Sequence, residues 1–194
     1  MSTVRHGHRY TYADYVAVEK DSGTKHEFLD GEIYAMVGGT EEHSALAVEV
    51  LSDLRNAARE IGNQKCRVHS SDLRIYVEAV GLATFPDGSV IRGPLQQHVA
   101  SPEATAINPV VLLEVTSDSS EAYDTVDKVS FYWTIPTLRE YIVVSHRERR
   151  ITVHLRDERG EWTTRVAISG GRIAVPSLHA ELVVDQIYRA SKIR

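Results

Sequence analysis

The chain has almost no cysteine: Cys66 is the single one among 194 residues. An internal disulfide and every cysteine-rich zinc site are therefore excluded, and one lone thiol fits a reducing compartment. Long apolar runs are missing as well, and none approaches the ~20 residues that a membrane helix needs. The first ten residues are polar and have no apolar signal core, which predicts a protein that is not exported but stays in the cytoplasm. Excess positive charge is also lacking. Twenty-two Lys and Arg against 27 Asp and Glu give a net charge of -5. A protein that clamps nucleic acid electrostatically is usually basic, so any such contact must use a local patch or be weak. Several catalytic signatures are absent too: no Gly-x-Ser-x-Gly elbow, no Walker loop, no dinucleotide-binding glycine fingerprint and no His-Glu-x-x-His.

What is present suits an ordinary folded chain. Hydrophobic residues make up 42% and charged residues 25%, which excludes a disordered protein. No repeat, low-complexity tract or linker interrupts the chain, so one domain over 1–194 is expected, with residues 1–10 as a flexible leader. His6-Gly7-His8 in that leader could hold a metal or simply belong to a mobile terminus.

The stretch from Asn108 to Lys128 carries the most information. Val110 to Val115 is a short apolar run rich in valine, which suits a strand buried on both faces. Glu114 interrupts it. An ionised carboxylate there costs on the order of several kcal/mol unless cations or donors compensate it. Ser117-Asp118-Ser119-Ser120 then supplies turn and helix-start chemistry. In the helix that follows, Ala122, Val126, Val129 and Trp133 share one face, which is expected to pack on the strand. Lys128 lies on a different face, expected at the rim of a cleft.

The remaining segments read more simply. Residues 11–20 form a short helix capped by Thr11. Glu27 to Tyr34 is a hairpin about Asp30-Gly31, with Glu27 and Glu32 either solvated or one of them pointing toward Glu114. Thr40 caps the longest helix, residues 41–61, whose core stripe is Leu46, Val50, Leu54, Ala57 and Ile61. His43, in its first turn, either packs or faces a cleft. Gly62-Asn63 ends the helix, and residues 65–69 and 72–77 are strands. In the second of these, Leu73, Ile75 and Val77 alternate with Asp72, Arg74 and Tyr76. Residues 78–81 are loop. Around Phe85-Pro86-Asp87-Gly88 two readings stay open, a Pro-Asp-Gly turn or a strand carrying one acid. Residues 93–108 look like a long loop. Residues 139–144 form a strand, 150–155 and 162–168 a hairpin, 172–175 a last strand and 185–191 a short helix.

Asp87, Glu114 and Lys128 form a recognisable set. Two converging carboxylates bind a hard divalent cation, and Mg²⁺ often uses only one or two of them with water. The metal lowers the pKa of a bound water, and the lysine orients that water or offsets developing negative charge. That chemistry is metal-assisted phosphodiester hydrolysis. The competing account for Lys128 is an exposed ion pair with Asp124, four residues earlier, worth about a few tenths of a kcal/mol.

The chain resembles the Uma-two family of "putative restriction endonucleases", a branch of the PD-(D/E)-x-K nuclease superfamily. The likeness runs through Tyr12, the Asp30-Gly31-Glu32 hairpin, the helix entered at His43, Ser71-Asp72-Leu73-Arg74 and Phe85-Pro86-Asp87. It is densest at Asn108-Pro109…Glu114-Val115-Thr116-Ser117, then Asp124, Lys128 and Tyr132, and it extends through Leu138-Arg139-Glu140-Tyr141. The resemblance implies an α/β (α+β) fold with a restriction-endonuclease-like core, a central mixed sheet flanked by helices, and extra antiparallel strands at the C-terminus. It implies catalytic Asp87, Glu114 and Lys128, with Mg²⁺ or Mn²⁺ on Asp87 and Glu114; the local readings above add Glu32 and His43 as accessory candidates. Two positions depart from the common pattern. Thr116 stands where the superfamily often has its lysine, and Gly88 follows Pro86-Asp87 where an apolar strand residue is usual, which permits a bulge.

A Mg²⁺-dependent DNA endonuclease is the expected activity. The other classes are a non-catalytic binding or assembly module on the nuclease fold, and a phosphodiesterase acting on RNA or nucleotides. A homodimer is expected, because cutting both strands of a duplex needs two sites or sequential action, and the strands within 150–175 carry spare apolar alternation.

Overall fold

The computed structural model describes residues 9–60, 66–99 and 105–194. The expectations for the leader, for the helix end at 61–63 and for the strand start at Lys65 lie outside the described residues.

The chain opens with α1 (Tyr12–Asp21), capped by Thr11 and Asp14 in a reciprocal capping box. The hairpin of β1 (His26–Leu29) and β2 (Glu32–Ala35) follows, turned by Asp30 and Gly31, both at positive φ. That backbone matches the twist of a two-residue hairpin and suits Asp-Gly. Next come α2 (Glu41–Glu60), β3 (Cys66–Ser70), β4 (Arg74–Val77), β5 (Leu82–Thr84), β6 (Gly88–Arg92), β7 (Thr105–Ala106) and β8 (Pro109–Val115). A π-helical turn (Tyr123–Asp127) leads directly into α3 (Lys128–Tyr132). The rest is β9 (Glu140–Val144), β10 (Arg150–Arg156), β11 (Trp162–Ile168), β12 (Arg172–Val175), a 3-10 turn (Pro176–Leu178), β13 (Ala180–Val183) and α4 (Val184–Ile187).

Six strands form the principal sheet, in the order β11-β10-β9-β8-β6-β3. Only β8 and β9 run parallel in it, joined by the helical segment between them, so the sheet is mixed. A second sheet, β2-β1-β5-β4-β7, carries the N-terminal hairpin, and β12 pairs with β13. The C-terminal strands are antiparallel additions to the core, as the resemblance implies.

β8 divides two cores. Val111, Leu113 and Val115 join the cluster packed with Leu46, Val50 and Leu54 of α2. Leu112 joins the opposite cluster, with Val129, Tyr132 and Tyr141. Every residue of β8 is buried, which a continuous apolar run predicts.

Several local expectations are corrected. The alternation does not divide core from solvent: Arg74 is buried, its guanidinium lies over the Tyr15 and Phe85 rings, and Nε donates to Thr105 Oγ1 at 2.7 Å, while Tyr76 is half-buried against Tyr12 and His98. Residues 93–108 are not wholly loop, because β7 pairs with β4 and Gln97 bridges to Ala106. The short strands β5 and β13 were not foreseen, having only three and four residues.

The largest difference concerns the helix after β8. The expected apolar face packs only in its second half: Val129 is buried and Trp133 packs on the same cluster, but Ala122 is exposed and Val126 is 64% exposed, while the polar Asp124 and Lys128 are buried with Tyr132. Lys128 N–H bonds Tyr123 O, five residues back, rather than the carbonyl four residues back. One widened turn of this kind changes the phase of the helix surface. The side chains at 124, 128 and 132, four residues apart, share the buried face.

Candidate active site

The site gathers at the C-terminal end of β8. Asp87 sits in the bend between β5 and β6, where the chain crosses from the second sheet to the principal one. It lies in a bend directly before Gly88 opens β6, so neither the Pro-Asp-Gly turn nor a strand carrying the acid describes it. Its Oδ2 accepts Val115 N–H at 2.7 Å, which sets the carboxylate against the peptide that follows Glu114. Its Oδ1 lies 2.9 Å from His43 Nε2. His43 enters from the first turn of α2, where its amide bonds the Thr40 hydroxyl, and its ring occupies the space that a Cβ at Gly39 would need, 2.6 Å away. The bond to Asp87 raises the His43 pKa, against the effect of burial.

Gly88 has a packing reason. A Cβ there would fall 2.4 Å from Leu51 Cδ2 of α2 and 3.3 Å from Leu113 Cδ2. The glycine lets α2 lie close on the sheet beside Asp87. The register shift between β6 and β8 occurs at Val90 and Ile91, not at Gly88.

Glu114 faces the other side of β8 and is 4% exposed. Oε1 accepts from Lys128 Nζ at 2.8 Å and from the Tyr132 hydroxyl at 2.9 Å. Lys128, also 4% exposed, is therefore no rim residue. Its Nζ also lies 3.0 Å from Asp124 Oδ1, outside hydrogen-bond angles, and 4.0 Å from Glu27 Oε2. Asp124 is buried in this contact, not paired with Lys128 at the surface. The Tyr123 hydroxyl donates to Glu27 Oε1, and Thr84 Oγ1 donates to Oε2 at 2.6 Å. The inward hairpin carboxylate is thus Glu27. Glu32, the accessory candidate, is exposed and accepts from Tyr34, because β2 is the edge strand of its sheet.

Three carboxylates around one ammonium leave surplus negative charge in a dry place. Burial pushes the Glu114 pKa up to about 8; Lys128 lowers it, and Asp124 and Asp87 raise it. Burial alone would lower the Lys128 pKa, but Glu114, Asp124 and Glu27 outweigh it and hold the group well above its usual value. The two shifts pull against each other, since a neutral Glu114 removes the nearest partner of Lys128. The ammonium stays charged either way, because Asp124 and Glu27 remain beside it.

Asp87 and Glu114 offer hard oxygen donors, which fits Mg²⁺ or Mn²⁺ held by two carboxylates and water. Among the described residues, no cluster of three or more His, Cys, Asp or Glu is arranged to hold an ion, so an all-protein cage of the calcium or zinc kind does not fit.

Residues 12–185 match the family described as Uma2, "Putative restriction endonuclease". This chain belongs to the Uma2 family. An uncharacterised protein of Synechocystis sp. (strain ATCC 27184 / PCC 6803 / Kazusa), slr1290, is 31% identical over 176 residues, 91% of this chain and 90% of that protein. A second from the same organism, sll1609, is 30% identical over 134 residues, 69% of this chain and 73% of that protein. A crystal structure of a "putative nuclease belonging to DUF820" from Anabaena variabilis ATCC 29413 superposes with a TM-score of 0.73. It is 16% identical and is matched over 91% of this chain and 97% of that one. The fold of that structure is thus the fold of this chain, and the family that matches is described as one of restriction endonucleases.

In the sequence the direction of Glu27 is open and Asp124 is expected in an exposed pair with Lys128. The signal for Asp124 was present: Asp124, Lys128 and Tyr132 recur every four residues and so share a face. Nothing local marked Glu27 over Glu32.

Proposed function

We propose that this Uma2 protein is a metal-dependent endonuclease that hydrolyses phosphodiester bonds of DNA, with Asp87 and Glu114 holding Mg²⁺ or Mn²⁺ and Lys128 as the catalytic cation. The observation that carries this reading is the convergence at the end of β8. Asp87 is bonded to Val115 N–H, and Lys128 and Tyr132 are bonded to Glu114, in a nuclease-family sheet. When bound, the metal supplies a more acidic water and charge stabilisation at the scissile phosphate.

The residues of the chain do the rest. Val115 N–H and His43 orient the Asp87 carboxylate through its two oxygens. The Tyr132 hydroxyl and Lys128 Nζ share Glu114 Oε1, fixing that carboxylate in turn. Lys128 offsets negative charge that grows on the phosphoryl group, and burial strengthens this effect relative to water. The protein acts as a homodimer, so that two sites address the two strands of a duplex.

Calorimetry with Mn²⁺ on the wild type and on Glu114→Ala tests the shared site: binding is expected only in the wild type, and equal binding by both overturns it. Cleavage of plasmid DNA and of RNA in Mg²⁺ separates the substrate classes. DNA cleavage lost in Asp87→Asn and in Lys128→Met is the expected result.

A further inference from the structure

Asp124 is not used by this mechanism, yet it is 2% exposed, and its carboxylate lies 3.0 Å from Lys128 Nζ. A second buried carboxylate adds desolvation cost that one ammonium does not fully offset, so stability is a poor reason for its presence. The backbone also departs from the ordinary to present it. The turn over Tyr123–Asp127 is π-helical, a form that recurs at functional sites. β9 secures that turn, since the Tyr141 hydroxyl donates to the Asp124 carbonyl at 2.8 Å. The carbonyl is thus tied to the strand neighbouring Glu114, while the carboxylate reaches the lysine.

We propose that Asp124 is a positioning residue for the reaction: it holds the Lys128 ammonium on Glu114 Oε1. Resting on the nuclease reading above, this assigns Asp124 no contact with substrate. Its effect passes through Lys128. A lysine stem has four rotatable bonds, and one carboxylate at 2.8 Å does not by itself select a single direction for the ammonium. Asp124 supplies a second attractive point from the same helix, and Glu27 a weaker third at 4.0 Å. The Tyr123 ring, 5.3 Å from Nζ, closes another side.

The test is a double-mutant cycle on cleavage, joined to a structure. Asp124→Asn keeps the shape and removes the charge. Misplacing a catalytic group by about an ångström costs on the order of a hundredfold, so kcat should fall by about that much while KM stays within about twofold. Asp124→Glu should recover part of the loss. In the Lys128→Met background, Asp124→Asn should add nothing, because its only route is gone. Additive losses, or full activity in Asp124→Asn while Lys128→Met is inactive, overturn the inference and leave the nuclease reading standing. Full activity in Lys128→Met overturns the nuclease mechanism instead. The crystal structure of Asp124→Asn is independent of turnover. Nζ should leave hydrogen-bond distance of Glu114 Oε1, and an unmoved ammonium overturns the inference whatever the substrate. Should Asp124→Asn not fold, Asp124→Ser, which leaves room for water, carries the same readouts.

Discussion

Lys128 shows how far burial changes the meaning of a residue. On an exposed helix, its pairing with Asp124 would be worth about a few tenths of a kcal/mol. Here Glu114, Asp124 and Glu27 surround it in the interior, so removing it leaves three carboxylates without a cation. Breaking a buried pair in this way costs about 3–5 kcal/mol. Lys128→Met should therefore melt well below the wild type, and saturating Mn²⁺ should raise the Tm of the variant by more than it raises that of the wild type. Thermal melts with and without Mn²⁺ check this, and equal shifts would contradict a shared electrostatic site. Gly88 offers a second test. Gly88→Ala should destabilise by about 1–3 kcal/mol through overpacking against Leu51, and Leu51→Ala should cost less in that background than in the wild type. Urea midpoints of the four proteins decide it, with additive losses counting against the contact. Both predictions depend on neighbours across the fold, which is why a lysine in a helix and a glycine after Pro86-Asp87 stay ambiguous in the linear chain.

Elements differed in how clearly they could be read. β8 was plain, because a strand buried on both faces needs an unbroken apolar run and Val110 to Val115 supplies one. The Asp30-Gly31 hairpin and the Thr11 cap were plain for the same reason: their chemistry is local. The helix after β8 was misread because apolar spacing was counted at a constant phase, and a π-helical turn breaks that phase. β10 carries a further consequence. His154 is buried on β10, with Nδ1 at 2.9 Å from Thr164 Oγ1 and its ring stacked on Tyr141. Burial lowers its pKa from 6.5, and burial together with Arg67 does the same for His69 on β3. A lowered histidine pKa means that the folded state binds fewer protons than the unfolded one. The stability from these groups is therefore complete above about pH 6.5 and is lost as pH falls through that value toward the folded pKa values. Between pH 7.5 and pH 5.5 the raised Glu114 and His43 act in the opposite sense, so the expected readout is the difference: the urea midpoint of His154→Gln should fall less, or rise more, than that of the wild type as pH is lowered. An unchanged slope would remove His154 from the account.

At the scale of the whole molecule, the principal sheet ends on β11, where Val166 and Ile168 are 57% and 61% exposed. An edge strand with apolar side chains invites pairing with another chain. If two copies join there, light scattering at micromolar concentration should give about twice the chain mass of 21.7 kDa. Val166→Lys with Ile168→Lys should return the monomer. A monomeric mass for the unaltered protein would rule out the dimer under those conditions. The acidic net charge belongs to this scale too. Binding to duplex DNA should weaken steeply with salt only if a local basic patch, not the whole surface, makes the phosphate contacts.

By itself the sequence determined the features whose physics is local or periodic: the element types, the buried central strand, the hairpin turn, and the ordered motifs that mark the Uma2 family. It also held the acid, acid and lysine set in a recognisable order. Only the tertiary structure decided which carboxylates meet. Glu27 and Glu32 are both glutamates of one hairpin, and whether either points inward depends on the sheet it joins and on what lies above it. Asp87 is brought to the peptide that follows Glu114 by a crossover between two sheets and a single bond to Val115 N–H. Asp124 and Lys128 are turned inward by one widened helical turn and a tyrosine on β9. Charges far apart in the chain acquire their energies from distance and burial, and folding sets both.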